Sequence, residues 1–214
     1  MDEERFLIST SLLKSMIALI DYGAGNLKSV SKALDYLGAK HTITNSPEKI
    51  LSAKKIILPG VGNFGEVMDM LGKNKLDLAI KEFISSGKPY LGICVGLQVL
   101  FESSEESPKT KGLGIFKGKV IKLRTKEKIP EIGWNSISIK KQSKLLKGIK
   151  DNSYFYFVHS YCCSPSENGI ILTTTEYGTE FTSAVEKANI FAVQFHPEKS
   201  GEIGLKVLKN FLEI

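Results

Sequence analysis

Short apolar runs alternating with amphipathic stripes constrain this chain more than any other feature. Met16–Asp21 (MIALID), Lys55–Leu58 (KIIL) and Pro89–Ile93 (PYLGI) read as buried strands. Between them, Leu27–Leu37 places Leu27, Val30, Ala33, Leu34 and Leu37 on one helical face, with Gly38 as its stop. Leu76–Ser86 repeats the pattern with Leu76, Ala79, Ile80 and Phe83, and Gly87 ends it. Strands that are apolar throughout belong to a sheet covered on both faces. The pattern predicts an α/β three-layer sandwich, with a mostly parallel central sheet and helices on both faces. Beyond Glu102 the rhythm changes. Glu102–Lys111 (ESSEESPKTK) reads as a polar loop. Lys117–Arg124, Trp134–Lys140, Tyr154–Val158, Ile170–Tyr177, Ser183–Val185 and Ile190–Phe195 read as short strands, predicting a β-rich C-terminal half with antiparallel additions to the sheet. Glu202–Leu212 closes the chain as a helix with Ile203, Val207, Leu208 and Phe211 on one side.

The 214 residues fit one domain, taken as residues 16–214. Residues 1–15 (MDEERFLISTSLLKS) read as an extension. Their first charges are acidic, so they lack the basic start of a secretory signal. Hydrophobic residues at 42% and charged residues at 24% exclude a disordered chain. No apolar run approaches the roughly 20 residues of a membrane-spanning helix, so no membrane association is expected. The net charge of +6 comes mostly from lysine. No stretch interleaves basic residues with aromatics as a nucleic-acid platform does, so the surplus reads as solubility. The three cysteines, Cys94, Cys162 and Cys163, are too few for a disulfide scaffold and indicate a reducing, cytoplasmic setting.

Cys94 stands in Gly92-Ile93-Cys94-Val95-Gly96, where a predicted strand meets a predicted helix. This is the spacing of a nucleophile elbow. The sharp turn strains its central residue and needs small neighbours where backbones approach. The nucleophile then projects at the carboxyl end of the strand, where α/β sheets carry their sites. The following helix N-terminus favours thiolate over thiol. The N–H of Val95 is a candidate oxyanion donor. The alternative is a buried structural cysteine between packing glycines.

A thiolate needs a base, and there are three histidines. His41, after a helix stop, reads as a surface or strand-entry residue. His159, in Phe155-Tyr156-Phe157-Val158-His159, reads as a hydrogen-bonded histidine at a strand end. His196, in Phe195-His196-Pro197-Glu198, is delivered by a buried strand to its end. Pro197 stiffens the turn there, and Glu198 is placed to hold one imidazole nitrogen while the other faces a thiol. Cys94, His196 and Glu198 are therefore the candidate catalytic residues for acyl transfer.

With these residues in view, the chain resembles the class I, triad-type glutamine amidotransferases. Gly92–Gln98 (GICVGLQ) and Gln194–Ser200 (QFHPEKS) carry the likeness. So do Ile20–Asn26 (IDYGAGN), Leu58–Gly62 (LPGVG), Gly133-Trp134-Asn135 and Tyr156–Tyr161 (YFVHSY). Within that family it is most similar to the glutaminase subunits that feed ammonia to a (β/α)₈ cyclase making imidazole glycerol phosphate in histidine biosynthesis. The resemblance implies that Cys94 attacks the side-chain amide of L-glutamine, that His196 shuttles the proton, and that Glu198 orients His196. It places Gly60, Val61 and Val95 in the oxyanion hole. Gln98 and Glu106 are implied to hold the substrate's α-amino and α-carboxylate ends, with backbone help from Ser160 and Tyr161. Asn26, Trp134, Tyr156 and Lys199 fall at the partner interface of a heterodimer. Neither metal nor cofactor is implied. The glycines flanking Val61 suit a peptide that must turn its N–H inward.

Where the family usually reads Pro-His-Met-Gly-Trp-Asn, this chain has Pro130-Glu131-Ile132-Gly133-Trp134-Asn135. The exchange leaves the triad untouched and is expected to alter charge beside the interface. It keeps open a second reading, a paralogous glutaminase serving surface-polysaccharide sugar amidation. Two further readings are a non-catalytic interaction protein of the same fold and a cysteine peptidase. For the latter, Gln98 and Glu106 suit a free amino acid better than a peptide.

Overall fold

The computed structural model describes residues 16–24 and 26–214. The extension read for residues 1–15 lies outside the described residues. Strands β1 (Ile17–Ile20), β2 (His41–Thr44), β3 (Lys55–Gly60) and β4 (Tyr90–Cys94) run parallel, and β13 (Ile190–Val193) joins them beside β4, in the order β2-β1-β3-β4-β13. All of these except β2 are buried along their whole length, which is why their sequences are apolar without alternation.

The helices are α1 (Leu27–Tyr36), α2 (Pro47–Ser52), α3 (Phe64–Lys73), α4 (Leu76–Ser85), the single turn α5 (Val95–Gln98) and α6 (Gly201–Glu213). One group packs α2 and α3 against α4, while α1 and α6 meet around the Pro197–Lys199 turn. Each amphipathic helix buries the stripe that defines it: Val30, Ala33 and Leu34 in α1, and Leu76, Ala79, Ile80 and Phe83 in α4. Lys55 opens β3 from a buried position. Its Nζ donates to the Phe211 carbonyl at 3.1 Å and to that of Leu212, satisfying carbonyls in the last turn of α6. No helix of the described residues is long and apolar enough to cross a membrane.

The second half extends the sheet through β12 (Glu180–Lys187), β10 (Tyr161–Pro165), β6 (Phe116–Lys122) and β5 (Phe101–Ser104). β12 pairs antiparallel with β13, β10 with β12, and β6 with β10. β11 (Ile171–Glu176) lies on β12 and pairs with the short β8 (Ser138–Ile139). A separate ribbon joins β7 (Glu131–Ser136) to β9 (Tyr154–His159).

Several expectations change. The predicted polar loop from Glu102 contains most of β5, an edge strand parallel to β6, whose polar residues suit its exposure. The predicted strand Trp134–Lys140 is two strands, β7 and β8, in different sheets. The segments α2, α3, β2 and β10 were not anticipated. Cys162 and Cys163 lie in β10, both buried, and burial pushes the Cys162 thiol up to about 12 and Cys163 well above its ordinary value. They are core thiols without nucleophilic character.

Candidate active site

β4 delivers Cys94 to the sheet's carboxyl edge with φ 54° and ψ −107°, a conformation that non-glycine residues seldom adopt. The flanking glycines are there for close approach. A Cβ on Gly92 would run into the Gly96 carbonyl, and one on Gly96 into the Leu58 carbonyl of β3. The elbow is thus packed between two backbones and cannot relax without moving the sheet. One expectation is corrected. The helix after Cys94 is a single turn, so its dipole is a small source of positive potential at the sulfur.

β13 brings in the partners. The Pro197–Lys199 turn folds Glu198 back so that its Oε1 lies 2.9 Å from His196 Nδ1, with both side chains 1% exposed. A carboxylate against Nδ1 fixes the proton there and leaves Nε2 as the working nitrogen. Nε2 is buried and has no hydrogen-bond partner among the described residues. Burial opposes protonation of the ring, but the Cys94 side chain and the Glu198 carboxylate outweigh it and raise the His196 pKa to about 9. The ring therefore favours the imidazolium form at neutral pH, opposite a group able to carry negative charge. Ser200 anchors this turn. Its Oγ donates to the His196 carbonyl at 2.7 Å and accepts from the Tyr156 N–H at 2.9 Å, while His196 N–H donates to the Tyr156 carbonyl at 2.9 Å.

A cavity of about 260 Å³ opens beside Cys94, and Val61, Val95, Gln98, Glu106, Ser160 and Tyr161 line it. Its size suits one amino acid, below the roughly 300 Å³ at which drug-sized pockets begin. Larger clefts of about 500 and 720 Å³ lie around Lys147 and Gly148, away from Cys94. Gly60 does not line the cavity. It pairs with Cys94 across β3 and β4, and a Cβ on it would stand 2.8 Å from Val95 Cβ. Its smallness therefore serves contact with Val95, whereas Gly62 carries the unusual dihedral, φ +119°. Tyr22, a site residue that sequence reasoning did not assign, donates from its hydroxyl to the Val61 carbonyl at 3.4 Å. Burial pushes Tyr22 up to about 12, so it remains a phenol and a donor.

Gln98 Nε2 donates to the Tyr161 carbonyl at 3.0 Å and to Gln194 Oε1 at 3.1 Å, leaving its own Oε1 as the acceptor. Glu106 is half-buried, and its Oε2 accepts from the Phe64 N–H at the start of α3 at 2.7 Å. A carboxylate and an amide oxygen on one cavity suit an ammonium group. His159 lines the same cavity, with Nδ1 3.0 Å from the Tyr161 carbonyl and Nε2 2.9 Å from Glu131 Oε2. Glu131 is 2% exposed and accepts from Asn135 Nδ2 at 2.8 Å. The side chain that departs from the family pattern therefore turns inward and adds no charge to the outer face, contrary to expectation. His41 sits apart, bonded to Ser31 Oγ and the Ala39 carbonyl as a strand-entry residue.

The β7–β9 ribbon turns Trp134 outward at 55% exposure, together with Ile132 and Tyr154, which the sequence did not single out. Trp134 packs edge-on to Tyr156, and Lys199 Nζ lies 5.8 Å above the Tyr156 ring. Asn26 heads α1, half-buried, its Oδ1 accepting from Ser29 Oγ at 2.8 Å.

A strained cysteine on a parallel strand end, with a buried histidine–carboxylate pair in the turn after the adjacent strand, brings together a thiol and a base of the kind acyl transfer needs. The model of class-I glutamine amidotransferases matches residues 18–214, and the chain belongs to that family. Within it, the chain is 55% identical over 199 residues to the imidazole glycerol phosphate synthase subunit HisH of Methanocaldococcus jannaschii, covering 93% of this chain and 100% of that one. It is 57% identical over 196 residues to the subunit of the same name from Pyrococcus furiosus, covering 91% of this chain and 97% of the relative. Among solved structures, PurLQS from Thermotoga maritima matches with a TM-score of 0.76 at 19% identity, over 94% of this chain and 99% of that one, a likeness of fold.

Proposed function

We propose that residues 16–214 form a single glutaminase domain that hydrolyses L-glutamine through Cys94, His196 and Glu198. The observation that carries this reading is the union of the strained Cys94 elbow with the buried His196–Glu198 pair beside an amino-acid-sized cavity. The Cys94 sulfur attacks the side-chain amide carbon, and charge develops on the amide oxygen beside the Gly60–Val61 segment and the Val95 N–H. The C–N bond then breaks, the His196 proton leaves with ammonia, and a glutamyl thioester remains. Water, deprotonated by His196, attacks that thioester, the C–S bond breaks, and glutamate departs. Gln98 Oε1 and Glu106 receive the α-ammonium, while the Ser160–Tyr161 backbone faces the α-carboxylate. No metal or cofactor takes part.

The ammonia passes to a (β/α)₈ cyclase subunit that makes imidazole glycerol phosphate in histidine biosynthesis, the two forming a cytoplasmic heterodimer. Trp134, Tyr156, Lys199 and Asn26 form the docking face; an exposed Trp beside an aromatic is a suitable anchor. Glutamate release measured with and without the cyclase and its nucleotide ligand tests the reading. Stimulation by the partner is expected. Full activity without it would refute the coupling.

A further inference from the structure

Gln194 follows β13 directly, is fully buried, and has no part in the mechanism above. Its Nε2 donates to Cys94 Sγ at 3.5 Å. The direction of that amide is forced. The Tyr161 carbonyl can only accept, so Gln98 must turn its NH₂ toward it at 3.0 Å. The second N–H of Gln98 then meets Gln194 Oε1 at 3.1 Å, and this leaves the Gln194 NH₂ toward the sulfur. Behind the carbonyl, His159 Nδ1 also points at Tyr161 O from 3.0 Å, which holds that anchor from a second side. The result is a one-way chain of hydrogen bonds from a fixed carbonyl to the reacting atom, buried where such bonds are strongest.

An N–H aimed at sulfur discriminates between ionisation states. A thiol sulfur is a weak acceptor, whereas a thiolate takes a charge-assisted bond. A donor that binds the charged form better favours that form. With only one helical turn after Cys94, this side-chain donor replaces much of what a long helix dipole would supply. We propose that Gln194 is a further residue of the site: its amide donates to the Cys94 sulfur and binds it most strongly when the sulfur carries charge, and Gln98, fixed by the Tyr161 carbonyl, keeps that amide pointing the right way. This deepens the glutaminase reading and, for its kinetic consequences, rests on it.

The test is the rate of Cys94 alkylation by iodoacetamide across pH in wild type, Gln194→Met and Gln194→Glu, with Cys94→Ala subtracting any reaction at Cys162 and Cys163. Gln194→Met removes the donor at similar volume. Gln194→Glu is isosteric, keeps an acceptor for Gln98, and replaces the donor by a carboxylate, so its profile decides where the Met variant does not fold. The midpoint of alkylation is expected to move to higher pH in both variants, and further for Glu. With glutamine, kcat is expected to fall roughly ten- to a hundredfold, the loss of one hydrogen bond to a charged group. KM is expected to stay within about threefold, because Gln98 keeps its Tyr161 anchor. A folded variant whose alkylation profile superimposes on that of wild type would overturn the proposal. Iodoacetamide needs no glutamine. A chain that alkylates as expected yet releases no glutamate with its cyclase would therefore overturn the glutaminase reading and leave the Gln194 assignment standing.

Discussion

Ser200→Ala removes one oxygen and separates two elements that the site needs together. Ser200 is 1% exposed, and its hydroxyl serves both the His196 carbonyl, at 2.7 Å, and the Tyr156 N–H, at 2.9 Å. Alanine leaves both groups without that partner. The His196 carbonyl keeps the Lys199 N–H at 3.0 Å, whereas the Tyr156 N–H is left unpaired; a group so abandoned costs about 1–3 kcal/mol, so the expected loss is about 2 kcal/mol in all. At an m-value of about 2–3 kcal/mol per molar urea, the unfolding midpoint falls by about 0.7–1 M. Catalysis suffers separately. His196 and Tyr156 remain joined only by the His196 N–H to Tyr156 carbonyl bond, so the imidazole gains freedom relative to the sulfur. A misplacement of that kind is expected to lower kcat by tenfold or more. The assays are urea denaturation followed by circular dichroism and steady-state glutamate release at saturating glutamine. Stability within about 0.5 kcal/mol of wild type and an unchanged kcat would refute the claim that Ser200 anchors the histidine turn.

Three further outcomes are expected. With His196 at about 9, kcat/KM for glutamine is expected to hold through neutral pH and to fall as pH rises through about 9, where the ring loses the proton that the proposed mechanism hands to ammonia; a fall centred near 6.5 would contradict the shift. Because the folded pKa is raised, the same group contributes stability that is complete below about pH 6.5 and fades toward pH 9, so the melting advantage of wild type over His196→Asn narrows across that window. Lys55→Met deletes a buried ammonium that binds the Phe211 and Leu212 carbonyls and is expected to cost about 2 kcal/mol in urea unfolding, with kcat unchanged. Glu106→Gln keeps the cavity's shape but removes the carboxylate charge from its wall, which we propose receives the α-ammonium, and KM for glutamine is expected to rise roughly tenfold with little change in kcat.

What was legible in the sequence is what short stretches of chain settle by themselves. The apolar strands and the Gly-x-Cys-x-Gly elbow follow from local sterics, and the Pro197 turn alone brings Glu198 to His196. The Gln98–Gln194–Tyr161 chain was not legible, because α5, β13 and β10 meet only in the folded sheet. α3 was hidden by Gly65 and Gly72, which dilute its stripe of Phe64, Val67 and Leu71. β10 was hidden because Cys162 and Cys163 are adjacent and both buried, which breaks the alternation a half-buried strand shows. β5 was hidden by Glu102 and its serines, which are tolerable at the sheet's edge. Glu131 misled because charge in a polar neighbourhood suggests solvent, while its register opposite His159 turns it inward.

In the proposed mechanism Cys94 carries the glutamyl group. The most direct measurement is rapid acid quench of the cyclase-bound protein turning over isotopically labelled glutamine, followed by peptide mass spectrometry. A labelled glutamyl adduct on the Cys94 peptide, released by hydroxylamine and absent together with glutamate formation in Cys94→Ala, is the predicted result. Label on another residue, or glutamate release by Cys94→Ala at the wild-type rate, would contradict it.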